Sequence, residues 1–134
     1  MCIFCKIVNQ EIPSYKLYED ETLIAILDIS QATIGHSLVI CKDHYENIME
    51  LSEEVASRVL PIVTKLTKSL SKALNTNDFN IINNCGPLSG QTINHFHIHI
   101  IPRYPNDNID FIYPKNELSK EEFINLTNKI KANI

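Results

Sequence analysis

The segment from His95 to Ile101 constrains the fold of this chain more than any other part of the sequence. Histidine occupies every second position, at His95, His97 and His99, and apolar residues stand between and after them. Successive side chains of a β-strand point to opposite faces, so the pattern predicts a strand with three imidazoles on one face and an apolar face that packs into a core. At a rise of ~3.3 Å per residue the outer two imidazoles lie ~13 Å apart along the strand. They cannot easily bind one metal ion, and we expect the three histidines to have different tasks.

Two other interpretations of this strand stay open on the pattern alone. The histidines could form the solvated face of an edge strand, or the His-x-His pairs could serve only to bind metal. The distribution of the other histidines and the glycines favours a single functional site. All five histidines of the chain lie in two short segments, and all three glycines lie beside the same segments. The residues concerned outside the triad are His36, His44, Gly35, Gly86 and Gly90.

The rest of the chain indicates an α+β fold with a mainly antiparallel, five-stranded sheet. Apolar and β-branched runs predict strands over residues 15–18, 22–27, 37–41, 79–83 and 96–102. One long helix is expected to begin after Ser52, a good N-cap, because apolar residues recur from Val55 to Ala73 at spacings of three and four. Pro61 lies inside this pattern, and we expect it to kink the helix or to divide it in two.

Both ends of the chain are predicted to carry short helical segments. Residues 3–8 suit a helical turn that Pro13 prevents from continuing. A capping box, Ser119 with Glu122, predicts a final helix up to Ala132.

Composition limits the classes of partner. The chain has 134 residues, enough for one domain, and a net charge of -4, which argues against a protein that binds along nucleic acid but allows a single bound nucleotide. No apolar run approaches the ~18 residues of a membrane helix, and the N-terminus lacks the pattern of a signal peptide. We therefore expect a cytoplasmic protein without a membrane segment. Its cysteines, Cys2, Cys5, Cys41 and Cys85, are then expected to be thiols or metal ligands.

The triad suits nucleophilic chemistry at phosphorus. A neutral imidazole, with an ordinary pKa of about 6.5, can displace a leaving group from phosphorus and form an intermediate that water then hydrolyses. The attacked phosphate needs nearby hydrogen-bond donors. The loop of residues 89–92 precedes the triad and offers them: Gly90 allows a close backbone approach, and Gln91 and Thr92 add polar side chains.

These motifs together resemble the histidine triad (HIT) family, and most closely its bacterial branch related to nucleoside phosphoramidate hydrolases. The resemblance covers residues 2 to 103. It rests on the triad with the following Ile101-Pro102-Arg103, on Gly90-Gln91, on Asp28-Ile29, on residues 35–40 with Lys42 and His44, and on residues 2–7. Cys41 departs from the family pattern, which usually has proline there, and we interpret Cys41 as a small buried side chain.

The resemblance implies a role for each matching residue. His97 would attack the α-phosphate of a nucleotide, giving a covalent nucleotidyl-histidine intermediate, and His99 would hold phosphate oxygens and assist the leaving group. Asp28 would bind the ribose hydroxyls with help from Asn84, and His36 would be a supporting neighbour. The base slot would be formed by Ile3, Phe4, Ile7 and Ile26, and the phosphate would be surrounded by Gly90, Gln91 and Thr92. The resemblance also implies a homodimer with one continuous sheet. The tail after Arg103 carries no motif of the family. We expect an HIT domain over residues 1–103 and an extension over residues 104–134 whose helix packs on the same domain.

The pair Cys2 and Cys5 allows either a redox or a metal-binding role. A Cys-x-x-Cys redox site is expected within a βαβ pattern, which is missing here. Two histidines, His44 and His95, have no part in the phosphate chemistry. With the two cysteines they complete the ligand set of a structural zinc, which some bacterial members of the family carry. We therefore predict zinc at Cys2, Cys5, His44 and His95, and no organic cofactor.

Two functional hypotheses follow. The first is a hydrolase or nucleotidyl transferase acting on a nucleoside phosphoramidate or a dinucleoside polyphosphate, with a purine nucleotide as substrate. The alternative is a non-catalytic partner protein that binds a purine nucleotide or zinc. His97 separates them, because a binding protein has no need of a nucleophile between two other histidines.

Overall fold

The computed structural model describes all residues from Met1 to Ile134 and contains five β-strands and three α-helices. The strands are β1 (Lys16–Glu19), β2 (Leu23–Leu27), β3 (Ser37–Cys41), β4 (Phe79–Ile82) and β5 (His97–Pro102). The helices are α1 (Ile3–Val8), α2 (Glu53–Leu74) and α3 (Lys120–Lys131). Every predicted element is present, with ends that differ from the prediction by at most one residue.

The strands form one sheet in the order β1-β2-β3-β5-β4, in which all neighbouring strands are antiparallel. The predicted α+β class with an antiparallel five-stranded sheet is confirmed. Strand β5 lies between β3 and β4, so it is not an edge strand. This position excludes the interpretation of the histidines as a solvated edge, and His95 and His97 are indeed buried.

The two faces of β5 lie against different cores, as its alternation predicts. Phe96, Ile98 and Ile100 belong to a core of eleven buried residues between the sheet and α2. The histidine face belongs with a smaller core of five residues beside α1. Register explains this division: His97 pairs with Ile40 and His99 with Leu38, and both of these β3 residues are in the smaller core.

Helix α2 begins at the predicted N-cap. The Oγ of Ser52 accepts a hydrogen bond from the Val55 N–H at 3.2 Å. The helix then continues through Pro61 without interruption, so the expected division into two is wrong. Proline removes the bond to the Ser57 carbonyl, but Ser57 and Pro61 are both exposed, so water can replace the lost donor. The opposite side of the helix buries four aliphatic side chains: Val59, Val63, Leu66 and Leu70.

The loop between β2 and β3 is held against the ends of α2 and β5. Gly35 has a φ of +99°, and a Cβ at this position would lie 2.3 Å from Cδ1 of Leu74. The Thr33 hydroxyl donates to the Pro102 carbonyl at 2.6 Å. Glycine is therefore required for backbone conformation and for space, and the loop has a fixed place at this edge of the sheet.

The segment after β5 begins with a well-bonded turn and ends in an exposed helix. Arg103 donates to both carboxylate oxygens of Asp107, at 2.7 and 3.0 Å. Helix α3 starts after Ser119, whose Oγ accepts from the Glu122 N–H at 3.1 Å, as the predicted N-cap requires. None of its residues is buried, and Phe123 is 55% exposed. The expected packing of this helix on the same domain is therefore not supported, because the sheet and α2 complete the larger core without it.

None of the helices is both long enough and apolar enough to span a membrane.

Candidate active site and metal centre

A cavity of about 360 Å³ lies between α1 and the histidine face of the sheet. Its walls include the predicted base-slot residues and both of the predicted catalytic histidines. The predicted residues that line it are Ile3, Phe4, Ile7, Ile26, Asp28, Thr92, His97 and His99. The fold thus brings together side chains from the N-terminal helix, from β2 and from β5, which are up to 96 residues apart in the chain.

Several further residues line the cavity to which the sequence analysis gave no role in the site. Ile12, Pro13 and Ser14 follow α1 on one side, and Ile29 and Ser30 follow Asp28 on the other. Leu38 and Ile93 complete the apolar wall. The residues after α1 and after Asp28 have no helical or strand periodicity, so no pattern marks them. Their only signal is their closeness in sequence to predicted site residues.

His97 presents one defined nitrogen to the cavity. Its Nδ1 lies 2.6 Å from the His95 carbonyl oxygen, which can only accept a hydrogen bond, so Nδ1 carries the proton. The other nitrogen, Nε2, therefore has a free lone pair. Burial lowers the pKa of His97, which keeps the ring neutral at pH 7. A neutral imidazole with its lone pair on the cavity side is the form that a nucleophile needs.

Asn83, next to the predicted ribose contact Asn84, helps to hold this strand in place. The Asn83 side-chain amide donates to the His97 carbonyl at 2.9 Å. The Asn84 amide has only a long contact of 3.5 Å to the Gly90 carbonyl, and Asn84 does not line the cavity. Two adjacent asparagines after a strand carry the same sequence signal, and only the end of β4 decides which one faces β5.

His99 and His36 form a hydrogen-bonded pair with a defined proton arrangement. The Ala32 backbone N–H donates to His36 Nδ1 at 3.1 Å, so that nitrogen carries no proton. His36 Nε2 lies 2.9 Å from His99 Nδ1 and is the donor of that bond. His99 must then carry its proton on Nε2. Burial and the neighbouring His97 and His36 lower the pKa of His99 to about 4. At neutral pH His99 is an N–H donor, whereas His97 offers a lone pair.

Asp28 stands at the end of β2, beside His36. The Ser30 N–H donates to Asp28 Oδ1 at 2.8 Å, and Oδ2 lies 3.6 Å from His36 Nε2. The carboxylate lines the cavity and keeps acceptor capacity for a ligand. Donor atoms of Asp28, His36 and His99 also lie within 4.8 Å of one another. The facing nitrogens of the two histidines already bond to each other, so we assign no metal to this group.

The predicted phosphate loop uses most of its polar groups internally. The N–H groups of Gly90 and Gln91 donate to the carbonyls of Pro87 and Gly86. The Gln91 amide accepts from the Gly86 N–H at 2.8 Å and donates to the carbonyls of Glu46 and Ile93. Thr92 is different, because it lines the cavity and its backbone N–H has no hydrogen-bond acceptor. Thr92 is thus the best-placed donor of the three predicted residues.

The four predicted metal ligands meet beside α1. Their donor atoms are the Sγ atoms of Cys2 and Cys5 and the Nδ1 atoms of His44 and His95. The six distances between these atoms run from 3.2 to 3.6 Å. Zinc at ~2.3 Å from sulfur and ~2.0–2.1 Å from nitrogen, in tetrahedral geometry, separates its ligand atoms by about 3.3–3.8 Å. The observed arrangement therefore fits a tetrahedral zinc.

The proton positions also fit a cation at this point. His95 Nε2 lies 2.7 Å from the Cys41 carbonyl oxygen and must donate to it. The lone pair of His95 is then on Nδ1, only 3.2 Å from Nδ1 of His44. Two imidazole nitrogens and two sulfurs that converge in this way need a shared proton or a metal ion. The bond to Cys41 also orients the His95 ring, as the outer partner of a metal ligand commonly does.

Comparison with known proteins shows similarity over almost the whole chain. The family model described as HIT domain matches residues 9–106. An adenosine 5'-monophosphoramidase of Schizosaccharomyces pombe is 39% identical over 135 residues, which cover 99% of this chain and 98% of that protein.

Two solved structures are similar in fold. A crystal structure of a HIT family member from Bacillus subtilis matches with a TM-score of 0.95 and 38% identity, covering 99% of this chain and 96% of the other. A zinc-bound histidine triad family protein from Mycobacterium smegmatis matches with a TM-score of 0.76 and 30% identity, covering 99% and 97% of the two chains.

Proposed function

The chain belongs to the HIT family, and on this basis we propose that it is a nucleotide hydrolase that cleaves a nucleoside phosphoramidate at the α-phosphate. The observation that carries this proposal is the pair of opposite proton arrangements at the cavity. His97 offers a lone pair on Nε2, and His99 offers an N–H on Nε2. The fission yeast relative described as an adenosine 5'-monophosphoramidase supports the substrate class.

In the first step, His97 Nε2 attacks the α-phosphorus and forms an N–P bond. The P–N bond to the leaving amine breaks, and its electron pair stays on the amine. The amine takes its proton from solvent, and the Nε2–H of His99 donates a hydrogen bond to the amine nitrogen as charge develops there. The phosphorylated imidazole becomes positively charged, and the bond from its Nδ1–H to the His95 carbonyl stabilises that charge.

In the second step, water attacks the phosphorus of the nucleotidyl-histidine. The N–P bond breaks, its electrons return to His97 Nε2, and the proton of the water goes to solvent. The nucleoside monophosphate is released and the starting proton arrangement is restored. Use of an alcohol or phosphate in place of water would give a transferase, and a dinucleoside polyphosphate would supply a phosphate leaving group at the same site.

The cavity suits a nucleotide in one orientation. The apolar walls from Ile3, Phe4, Ile7 and Ile26 accept the base, which we propose to be a purine. Asp28 accepts hydrogen bonds from the ribose hydroxyls, and the Thr92 N–H donates to a phosphate oxygen. Gly90 and Gln91 shape the loop around the phosphate, and His36 holds the proton arrangement of His99. Asn84 stays a predicted ribose contact at the rim.

We propose that Cys2, Cys5, His44 and His95 hold a structural zinc. The support is the fit of the four donor atoms to a tetrahedron, together with the zinc-bound relative from Mycobacterium smegmatis. Such a site joins the N-terminus to the residue just before β5. Because Phe4 packs its ring edge against His97 at 4.9 Å between centroids, zinc would also brace the wall of the base slot.

We also propose a homodimer in which the sheet continues into a second chain. Strands β1 and β4 are the free edges of the sheet, and Ile81 on β4 is 45% exposed. Light scattering would measure this state. Residues 1–103 are proposed to form the HIT domain and residues 104–134 the extension.

The decisive experiment is hydrolysis of an adenosine phosphoramidate by the native protein and by His97→Ala. We expect the native protein to release AMP and kcat of the variant to be lower by at least about three orders of magnitude, as for other lost nucleophiles. Nucleotide binding should survive, since the variant removes no ribose or base contact. A variant that keeps near-normal kcat would rule out the nucleophile, and a native protein that binds AMP without any turnover would favour the non-catalytic alternative.

A further inference from the structure

Gln31 makes more polar contacts than any other side chain of the loop between β2 and β3. Its Nε2 donates to the carbonyls of Asp28 and His36, the latter at 2.7 Å, and its Oε1 accepts from the Gly35 N–H at 2.7 Å. All hydrogens of the amide and its oxygen are thus engaged. Gln31 ties the first residue of the loop to the last two and forms a clamp across it.

The clamp controls the direction of one backbone donor. Ala32 follows Gln31 directly, and its N–H points at Nδ1 of His36 at 3.1 Å. The Gln31 amide holds the His36 backbone as well, through the bond to its carbonyl. The Gln31 side chain therefore holds the residue that carries the acceptor, and the peptide bond after Gln31 carries the donor.

This one bond determines where two protons lie. An amide N–H can only donate, so it places the proton of neutral His36 on Nε2. His36 Nε2 then donates to His99 Nδ1 at 2.9 Å, and the proton of His99 must lie on Nε2. Asp28 Oδ2 also favours a proton on His36 Nε2, but at 3.6 Å it is too far for a hydrogen bond. Without the Ala32 bond, the neutral His36 ring could therefore carry its proton on either nitrogen. In the wrong tautomer, His36 Nε2 would accept a hydrogen bond from the Nδ1–H of His99, and His99 would face the leaving group with a lone pair.

We propose that Gln31 is a positioning residue for the leaving-group step: its side-chain amide clamps the loop so that Ala32 and His36 keep His99 in its donating tautomer. This inference rests on the proposed function of His99. Gln31 touches neither the cavity nor the reacting atoms. Gln31 acts on His99 only indirectly, through the backbone N–H of Ala32 and the ring of His36.

The test compares Gln31→Leu with Ile34→Ala in the full-length protein. Leucine has a similar volume and lacks the polar groups. Ile34 lies in the same loop with a side chain that is 71% exposed, so its shortening controls for changes in loop packing. Two quantities are measured: steady-state kinetics on the adenosine phosphoramidate, and the 15N shifts of the histidine ring nitrogens, which differ strongly between protonated and unprotonated nitrogen.

In the native protein we expect His36 and His99 each to show a protonated Nε2 and an unprotonated Nδ1. In Gln31→Leu the Nδ1 and Nε2 shifts within each of the rings of His36 and His99 should move toward each other, because each ring then exchanges between its two tautomers. kcat should fall by about tenfold, because the preference for the donating tautomer of His99 loses the free energy of about one hydrogen bond. KM should change by less than about twofold. Ile34→Ala should keep native shifts and native kcat.

Three results would overturn the inference: a proton on Nδ1 of His36 in the native protein, unmixed tautomers in Gln31→Leu, or mixed tautomers with unchanged kcat. Failure of the proposed function is a separate observation. If the native protein releases no AMP from any nucleotide substrate, the hydrolase assignment fails, and the nitrogen shifts of native protein and Gln31→Leu still decide whether Gln31 controls the tautomers.

Discussion

The chemistry of single residues in this site depends on which of their atoms carry protons. His97 and His99 are the same amino acid two positions apart, yet the His95 carbonyl makes one a lone-pair donor and His36 makes the other an N–H donor. Identical side chains thus acquire complementary roles from their hydrogen-bond partners. The chemistry of each histidine therefore depends on its hydrogen-bond partner as well as on its residue type.

At this scale Asp28 should distinguish ribonucleotides from analogues that lack both ribose hydroxyls. Its carboxylate lines the cavity with acceptor capacity to spare, and a hydrogen bond to a charged group contributes about 1.5–3 kcal/mol. Asp28→Ala should weaken AMP binding by about tenfold to a hundredfold and leave dideoxy-AMP binding nearly unchanged. Titration calorimetry with both ligands measures this. Equal losses for the two would remove the ribose role from Asp28.

Burial of His99 should make stability depend on pH. Its pKa is lowered to about 4 in the fold, against about 6.5 in an unfolded chain. Between these values the unfolded state binds more protons, so the free energy of unfolding is undiminished above pH 6.5 and falls as the pH drops toward 4.

Replacement by glutamine removes this contribution. For zinc-loaded His99→Gln, the loss of unfolding free energy between pH 7 and pH 5 should be smaller than in the native protein by roughly 1–2 kcal/mol. Denaturant titrations at the two pH values measure the difference, and zinc release affects both proteins alike. Identical pH dependence in native and variant protein would show that His99 titrates normally in the fold.

Among the elements, the antiparallel arrangement of β2, β3 and β5 creates the site. The end of β2 places Asp28, the start of β3 follows His36, and β5 carries His97 and His99. The backbone pairing continues past the strands, since the Asp28 N–H donates to the His36 carbonyl at 2.9 Å. The adjoining ends of β2 and β3 and the first half of β5 thus bring a carboxylate and three imidazoles together beside the cavity.

The loop that joins β2 to β3 should tolerate no side chain at Gly35. Alanine there would combine a positive φ with a Cβ 2.3 Å from Leu74. Gly86 is a matched control. Its φ is also positive, at +88°, but a Cβ at this position would have no atom beyond its own residue and its chain neighbours within 4 Å. We expect Gly86→Ala to lower the free energy of unfolding by about 1 kcal/mol and Gly35→Ala by about 3 kcal/mol. Chemical denaturation measures both, and equal losses would mean that Leu74 moves aside at no cost.

Across the whole molecule, the proposed metal centre would join segments that the sheet alone leaves apart. Cys2 and Cys5 come from the N-terminus, His44 follows β3, and His95 precedes β5. A metal ion that binds only the folded arrangement stabilises it.

Native protein should therefore contain one zinc per chain by elemental analysis, and its removal should lower Tm by at least ~5 °C, about 1–2 kcal/mol for a domain of this size. Cys5→Ser should lose the zinc, and His97→Ala should retain it. Absence of zinc from the native protein, or zinc that is lost with His97 but kept with Cys5→Ser, would contradict the structural site.

Much of the fold could be predicted from local sequence. The alternation in residues 95–101 correctly indicated which side chains of β5 join the core under α2, and Ser52 and Ser119 marked the starts of two helices. These signals are local, because periodicity and capping depend on residues within a turn or two of one another. Pro61 shows where local sequence is insufficient. The free-energy cost of a proline inside a helix depends on whether the carbonyl that loses its donor is exposed to water. That exposure depends on which side of α2 the sheet covers.

The sequence by itself determined which residue types could do the chemistry: the triad, Asp28, and two cysteines with two unused histidines. Tertiary structure alone decided how they act. The bond from Asn83 to β5, the internal bonding of Gln91, the clamp at Gln31 and the tautomers of four histidines all depend on individual hydrogen bonds. Two of these bonds join residues more than 50 positions apart: His36 with His99, and Cys41 with His95. Their geometry follows from strand register and loop closure, and a change of one residue in register would turn each side chain to the other face of the sheet.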